Sequence, residues 1–408
     1  MVAPVIVFLV VVLSAWTAMH AYAVWRLART APFAGKVPPG ALVVVAAALW
    51  ASYPLARALR RSWLDPASPV FESVGAMWMG VLLLIVVWML AADAAVLLAP
   101  PLRRRASVVR AFALGGAVLF SLIGVVQGAR QPALTEYEVH LPDLPPELDG
   151  LVVVQLSDLH LGTLTSERWF ARVAARVNQL RPDLLLVVGD VLDGDAARAA
   201  LFLPALRTLS ARLGVFGVLG NHEFYTGRPA SERFFAAAGV TLLSDRWVVP
   251  APGLTLAGVD DLTARRQFGR PAPPPAELLA VAPAGATVLL SHTPWGAREA
   301  AAAGVGLMLS GHTHDGQIWP FGLLVRLAYP LVAGRYAVGD ASVVVCRGTG
   351  TWGPRMRLWR RGEIVAITLR SAAPPGPSQR TSTAAPSTAF QGSARPPRFC
   401  ARNSSTRP

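Results

Sequence analysis

Five of the seven histidines, His160, His222, His292, His312 and His314, stand at or just past the ends of short apolar runs, and so do Asp158, Asp190 and Asn221. They fall in five blocks: Ser157-Asp158-Leu159-His160, Gly189-Asp190-Val191-Leu192-Asp193-Gly194, Gly220-Asn221-His222-Glu223, Ser291-His292 and Gly311-His312-Thr313-His314. Imidazole and carboxylate grouped without a thiolate suit Mn²⁺, Fe or Zn²⁺ rather than a structural zinc finger. One more anion than a single cation needs points to two metals sharing a carboxylate. In Asp-x-His and His-x-His, residues two apart on an extended segment point the same way, so both members of a pair can reach one cluster. Gly189, Gly220 and Gly311 permit the sharp turns and close backbone approach that a crowded site requires.

The elements that must position these donors are short. From about Leu151 the sequence alternates apolar runs with helix-like segments: Leu151–Leu156, Leu184–Val188, Val215–Leu219, Leu254–Val259, Thr287–Leu290 and Leu307–Leu309. Such runs, bounded by Gly, Asp, Pro and Asn, read as buried strands, and the spacing of the first three leaves room for crossover helices. The pattern is α/β. One helix is expected over Ser166–Gln179, with Ser166 as its N-cap and Arg181-Pro182 ending it. Ligands at the carboxyl ends of neighbouring strands would then converge on one crevice of the sheet.

The segment before this is of another kind. Val2–Trp25, Val37–Ala56, Ser73–Ala92 and Ala111–Ala129 contain no Asp, Glu, Lys or Arg, and each is long enough to cross a hydrocarbon core of about 30 Å as a helix. Four in succession predict a four-helix transmembrane domain over 1–130. Ala21-Tyr22-Ala23 resembles a signal cleavage site, but no basic residue precedes Arg26, so the first run is expected to be kept. Loops one and three carry Arg26, Arg29, Lys36, Arg103, Arg104, Arg105 and Arg110, against Arg57, Arg60, Arg61 and Arg130 on the other side. By the positive-inside rule this places the first set in the cytoplasm and everything after Arg130 on the exoplasmic face, with the Arg57/Arg60/Arg61 cluster opposing. His20, Trp16, Trp25, Trp50, Trp63 and Trp88 read as packing or interface residues.

The chain of 408 residues is 53% hydrophobic and 15% charged, with a formal charge of +14. Of that charge, +6 lies in residues 1–140, +3 in 141–370 and +5 in 371–408. The piece with the chemistry is nearly neutral and offers no electrostatic footprint for nucleic acid. Cys346 and Cys400 are too few for a disulfide framework. Residues 131–150 read as a linker carrying the first strand, 151–370 as the domain with the chemistry, and 371–408, rich in Pro, Ser, Thr and Arg, as a disordered tail.

In this order and spacing the five blocks resemble those of the calcineurin-like metallophosphoesterases. Gly311 to Gln317, together with Arg347-Gly348-Thr349-Gly350-Thr351-Trp352-Gly353-Pro354, is similar to the membrane-associated branch called YkuE-like. The resemblance covers roughly Glu136–Leu369. It implies a four-layer sandwich of two β-sheets flanked by helices and a dinuclear centre of Mn, Fe or Zn. Asp158, His160 and His314 would hold one metal, Asn221, His292 and His312 the other, and Asp190 would bridge them. A hydroxide shared by the cations would attack phosphorus in line. His222 would protonate the leaving oxygen or stabilise the transition state, and Asp193 would orient it.

The resulting expectation is a membrane-anchored hydrolase of a phosphodiester, pyrophosphate or phosphomonoester, a lipid or envelope ester being suggested by placement beside the bilayer. A nuclease or cyclic-nucleotide phosphodiesterase is the alternative with the same metal core. A non-catalytic scaffold or transport protein would have lost ligands, and every expected ligand position is filled. Asp193 also suits a turn before Gly194, and Glu223 either supports a ligand or is solvated. Asp315 stands where the branch usually has Gly, and Arg347 and Arg355 are candidates for a phosphate contact.

Overall fold

The computed structural model describes residues 2–31, 33–59, 65–194, 196–270 and 275–371. Four helices come first: α1 (Val2–Leu27), α2 (Pro39–Leu59), α3 (Ser68–Leu98) and α4 (Ala106–Ala129). Among the described residues, Pro39–Leu59, Asp65–Leu98 and Pro100–Ala129 are long and apolar enough to cross a membrane. Side chains of α1 are described from Val10 onward. The helix α3 outruns its charge-free stretch at both ends and takes in Glu72 and Asp93. Asp93 gathers Arg26 at 2.6 Å, Arg110 at 2.9 Å and the Tyr22 hydroxyl at 2.6 Å. This tie joins the ends of α1 and α3 to the start of α4. His20 packs as expected: its Nδ1 lies 2.8 Å from the Trp16 carbonyl, and its Nε2 accepts from Trp78 Nε1 at 2.8 Å.

Twelve strands follow: β1 (Ala133–Leu141), β2 (Val152–Leu156), β3 (Leu184–Val188), β4 (Val215–Val218), β5 (Thr241–Leu242), β6 (Arg246–Ala251), β7 (Leu254–Val259), β8 (Ala286–Ser291), β9 (Leu307–Ser310), β10 (Gly334–Val338), β11 (Ala341–Val345) and β12 (Glu363–Ser371). They form two six-stranded mixed sheets, ordered β1-β12-β2-β3-β4-β5 and β10-β11-β9-β8-β7-β6. Within β3 the alternation of a strand divides one apolar run between two cores. Leu184, Leu186 and Val188 meet β7, β8 and β9 of the other sheet. Leu185 and Val187 meet the outer layer that contains the helix α5 (Glu167–Gln179). A strand buried on both faces has no polar side, which is why these runs are continuously apolar. Helices over β7, β8 and β11 complete four layers.

One local expectation holds in position alone, and one boundary shifts by a residue. Ser166 occupies the N-cap position of α5, but its side chain makes no capping bond; the first turn opens instead with Glu167, whose charge suits a helix N-terminus. The tail assigned to 371–408 begins inside β12, which runs through Ser371. Residues 372–408, Cys400 among them, and Trp63 lie outside the described residues.

The sandwich and the helices share a packed boundary. Met356 and Leu358, from the segment before β12, and Ile318 join Leu82, Met89 and Ala117 of α3 and α4 in one apolar cluster. Arg357 N donates to the Gly124 carbonyl of α4 at 2.9 Å. At Gly128 a Cβ would come within 2.6 Å of the Arg355 carbonyl oxygen and 2.9 Å of Met356 Cα. Only glycine allows that approach, since backbone cannot move aside as a side-chain tip can. Gly128→Val is therefore expected to cost about 1–3 kcal/mol. Thermal unfolding in detergent checks it, and an unchanged midpoint would mean that α4 and the segment are not in contact.

Candidate metal centre

Each block sits where a strand ends. Asp158 and His160 follow β2, Asp190 follows β3, Asn221 and His222 follow β4, His292 follows β8, and His312 and His314 follow β9. The sheets bring these ends together, and the expected ligands gather in one cluster. Asp158, His160 and His314 form one group and Asp190, His292 and His312 a second, the ligand atoms of each lying within 4.8 Å of one another. Asp190 Oδ2 stands 3.1 Å from His292 Nε2 and 3.9 Å from His160 Nε2, between the two groups. Asn221 is buried beside them at the start of a short helix, Asn221–Thr226.

The backbone at these turns is unusual. Asp158, His160, Asp190, His312 and His314 have φ of 53°, 46°, 52°, 72° and 52°. Non-glycine residues rarely adopt this left-handed conformation, and clusters of such residues mark functional sites. Gly189 precedes Asp190 for a further reason: at φ +73° a Cβ there would lie 2.6 Å from the His292 ring. Asp315, at φ 54°, takes the same conformation. That is why glycine is usual at its position and why Asp, one of the residues that tolerates it, can stand in. Its carboxylate lies 3.7 Å from Arg360.

The donors fit divalent cations. His312 Nδ1 and Asn221 Oδ1 are buried with no hydrogen-bond partner, an arrangement that is costly unless another ligand satisfies them. His160 Nε2 and His314 Nε2 face each other at 3.1 Å. Two nitrogens about 2.0–2.1 Å from a common tetrahedral cation would be about 3.3 Å apart. Burial, with the charge of His222, pushes the His160 pKa down to about 3, and burial, with that of His292, takes His312 down to about 4. Both imidazoles are therefore kept neutral, the form that binds a metal.

His222 forms a further group of possible ligand atoms with His160 and Asp193, its ring 4.6 Å from that of His160. Its Nδ1 is 3.4 Å from Asp193 Oδ1, and its side chain is 13% exposed, towards Tyr225 and Trp352. Burial alone would lower its pKa, but the charges of Asp190 and Asp193 and the Asp193 hydrogen bond outweigh this and raise it to about 9. Asp193 is itself held below the usual carboxylate range: burial opposes, and the His222 bond and the charges of His222, His160 and Arg57 prevail. Arg57 belongs to the last turn of α2, so the helical domain contributes charge to this corner.

Three further groups support the cluster: Glu223, for which the sequence left support of a ligand and solvation both open, and Arg357 and Tyr329, which it did not single out. Glu223, fully buried, accepts from the backbone N–H of Asp190 at 2.9 Å, Leu192 at 2.9 Å and Gly220 at 2.7 Å, tying the β3 and β4 turns together. Glu223→Ala leaves three buried donors unpaired and should cost about 3 kcal/mol or more. Chemical unfolding of the purified variant checks this, and a loss below about 1 kcal/mol would show that the turns hold themselves. Arg357, 2% exposed, donates to the carbonyls of Gly350 at 2.7 Å and Arg347 at 2.8 Å and stands 3.5 Å from His314 Nδ1. The hydroxyl of Tyr329 lies 2.8 Å from His312 Nε2. Arg347 and Arg355, the sequence's candidates for phosphate, are otherwise engaged. Arg347 pairs with Glu363 at 2.7 Å, and Arg355 donates to the Leu164 carbonyl and lies over the Trp169 ring.

Comparison with known proteins gives a consistent result. The family described as calcineurin-like phosphoesterase matches residues 151–316. A transmembrane protein with metallophosphoesterase domain from Bos taurus is 34% identical over 292 residues, covering 66% of this chain and 64% of that protein. A metallophosphoesterase from Aquifex aeolicus is 33% identical over 238 residues, 58% of this chain and 90% of its own length. The metallophosphoesterase YkuE of Bacillus subtilis is 29% identical over 248 residues, 58% of this chain and 85% of its own. The chain thus spans less than two thirds of the bovine relative.

Proposed function

Because the chain belongs to the calcineurin-like metallophosphoesterase family, we propose that it is a membrane-anchored, two-metal hydrolase of phosphoric esters. Asp158, His160 and His314 would hold one cation and Asn221, His292 and His312 the other, with Asp190 placed between the two groups. Two bound divalent cations, of Mn, Fe or Zn type, would make water a nucleophile near neutral pH and offset charge on the phosphoryl oxygens. The observation that carries this reading is the convergence of seven donors from five strand ends, with His312 Nδ1 and Asn221 Oδ1 buried and without a hydrogen-bond partner.

The chain's own residues then have distinct tasks. His222 keeps its proton at neutral pH and faces the open side of the cluster, so it can donate to the leaving oxygen. Asp193 holds the ring through Nδ1, leaving Nε2 as the donating atom. Glu223 fixes the turn that aims Asp190, and Ser157, with its hydroxyl 2.6 Å from Asp158 Oδ2, restrains a second carboxylate. The substrate is a phosphodiester, pyrophosphate or phosphomonoester. The four charge-free runs, three of them matched by helices long and apolar enough to span, support four membrane passes, and the count of basic loop residues, seven against four, favours an exoplasmic catalytic domain.

The test is metal analysis of the detergent-purified full chain and its turnover of bis-p-nitrophenyl phosphate with Mn²⁺, Fe²⁺ or Zn²⁺. Bound divalent metal and turnover dependent on it are expected. Absence of both across these metals and across mono- and diester substrates would sink the proposal. A reporter at the C terminus, active only on one side of the membrane, reads the orientation.

A further inference from the structure

We infer that the cleft between the Phe321–Ala328 helix and the Arg357–Arg360 segment receives the phosphate of a membrane lipid entering sideways from the bilayer, an inference that rests on the phosphoesterase reading above. The cleft has a volume of about 290 Å³. Its lining includes His314 of the metal cluster, the arginines Arg326 and Arg360, and the apolar Trp319, Leu323 and Trp359. Asp315 also lines the cleft and lies 3.7 Å from Arg360, whose side chain is 65% exposed, which leaves Arg326 as the guanidinium for a phosphate beside a proposed metal ligand, whereas the apolar side chains suit the chain attached to it. A water-soluble phosphoester has no use for that second half.

The helix itself is the second observation. Seven of its eight residues are apolar or glycine, and none is buried. Leu323, Leu324 and Leu327 are 60%, 59% and 85% exposed, and Trp319 and Trp359 beside it are 49% and 55% exposed. A contiguous apolar patch of this kind marks a surface that meets something other than water. Its occupant is indicated by continuity with the membrane helices. Ile318, next in the chain to Trp319, packs within the cluster formed by α3 and α4. Trp359 meets the Phe120 ring edge-on at 5.3 Å, and Phe120 meets Trp88 at 5.0 Å. Phe120 lies nine residues before the end of α4, about 14 Å along its axis at 1.5 Å per residue. The lip of the cleft is therefore set against the side of the helical bundle, where Leu119 and Leu122 of α4 are also exposed. Tryptophan at the lip and arginine inside it is the arrangement of an interfacial element: rings at the headgroup level, apolar residues below, cations facing phosphate.

The test uses the full chain in lipid nanodiscs. A nitroxide at Leu324→Cys, in a Cys400→Ser background with the buried Cys346 left in place, should collide with oxygen and be shielded from an aqueous nickel chelate. Access to the chelate, or shielding from both reagents as a protein partner would give, overturns the inference. Replacing phosphatidylcholine by phosphatidic acid in the disc should raise the KM for bis-p-nitrophenyl phosphate by about tenfold, the size of a charge-assisted phosphate contact. Arg326→Glu should remove that effect, which charge repulsion from the disc would not do. A KM independent of disc composition, or one raised equally by soluble glycerol 3-phosphate, overturns lateral entry while leaving the phosphoesterase reading intact. Absence of any turnover of the soluble ester would instead count against that reading.

Discussion

Replacement of Asp190 by Ala should empty the metal cluster and lower turnover of bis-p-nitrophenyl phosphate by more than about 10³-fold, since even outer partners of metal ligands are worth 10–100-fold. Asp190 is 3% exposed, and its side chain serves more than one group. Oδ2 lies between His292 and His160, while Oδ1 accepts from the His222 backbone N–H at 2.9 Å. Removing it takes away the anion that offsets two cations in a buried site, where an uncompensated charge is costly. Metal content measured on the purified variant separates this from simple misfolding: Asp190→Asn, of the same shape, should fold with an unchanged circular-dichroism spectrum and still bind less metal. Retention of the wild-type metal content and turnover by both variants would refute the bridging role.

His222→Ala should have the opposite signature. Metal content is expected to stay at the wild-type level, because the groups built on Asp158 and Asp190 are complete without His222, which lies with His160 and Asp193. The kcat should fall by about 10²–10⁴-fold, the usual contribution of a positioned proton donor. The loss should depend on the leaving group. A p-nitrophenolate leaves without help, so its ester should lose less than an alkyl phosphate, whose alkoxide needs the proton. Asp193→Asn should follow the same trend to a smaller extent, since the His222 ring would keep its place and lose one favourable charge. Equal losses for both leaving groups would rule out proton donation and leave transition-state stabilisation as the role of the ring.

The divided charge shows how far composition can mislead. A formal +14 suggests a polyanionic partner, yet the arginines nearest the cluster are committed elsewhere, Arg347 to Glu363 and Arg357 to backbone carbonyls. Arg326 and Arg360, the latter 3.7 Å from Asp315, line the cleft beside His314.

The sequence by itself determined the chemistry and the local elements. Donor type is a property of the residue, and an apolar run bounded by turn residues is a property of a few neighbours, so the seven candidate donors and the strands β3 and β7 could be read directly. The tertiary structure alone decided which donors meet. The position of Asp190 between two groups depends on the order of β2, β3 and β8 in two different sheets. So does the place of β12, which enters between β1 and β2 from more than 200 residues away. The burial of Glu223 under three backbone N–H groups, and of Arg357 against α4, likewise arises from contacts distant in sequence. No local signal distinguishes a glutamate that will be buried from one that will be solvated, because its cost is decided by partners the chain brings to it only on folding. For the same reason the exposure of the Phe321–Ala328 helix beside the bundle emerges only in three dimensions.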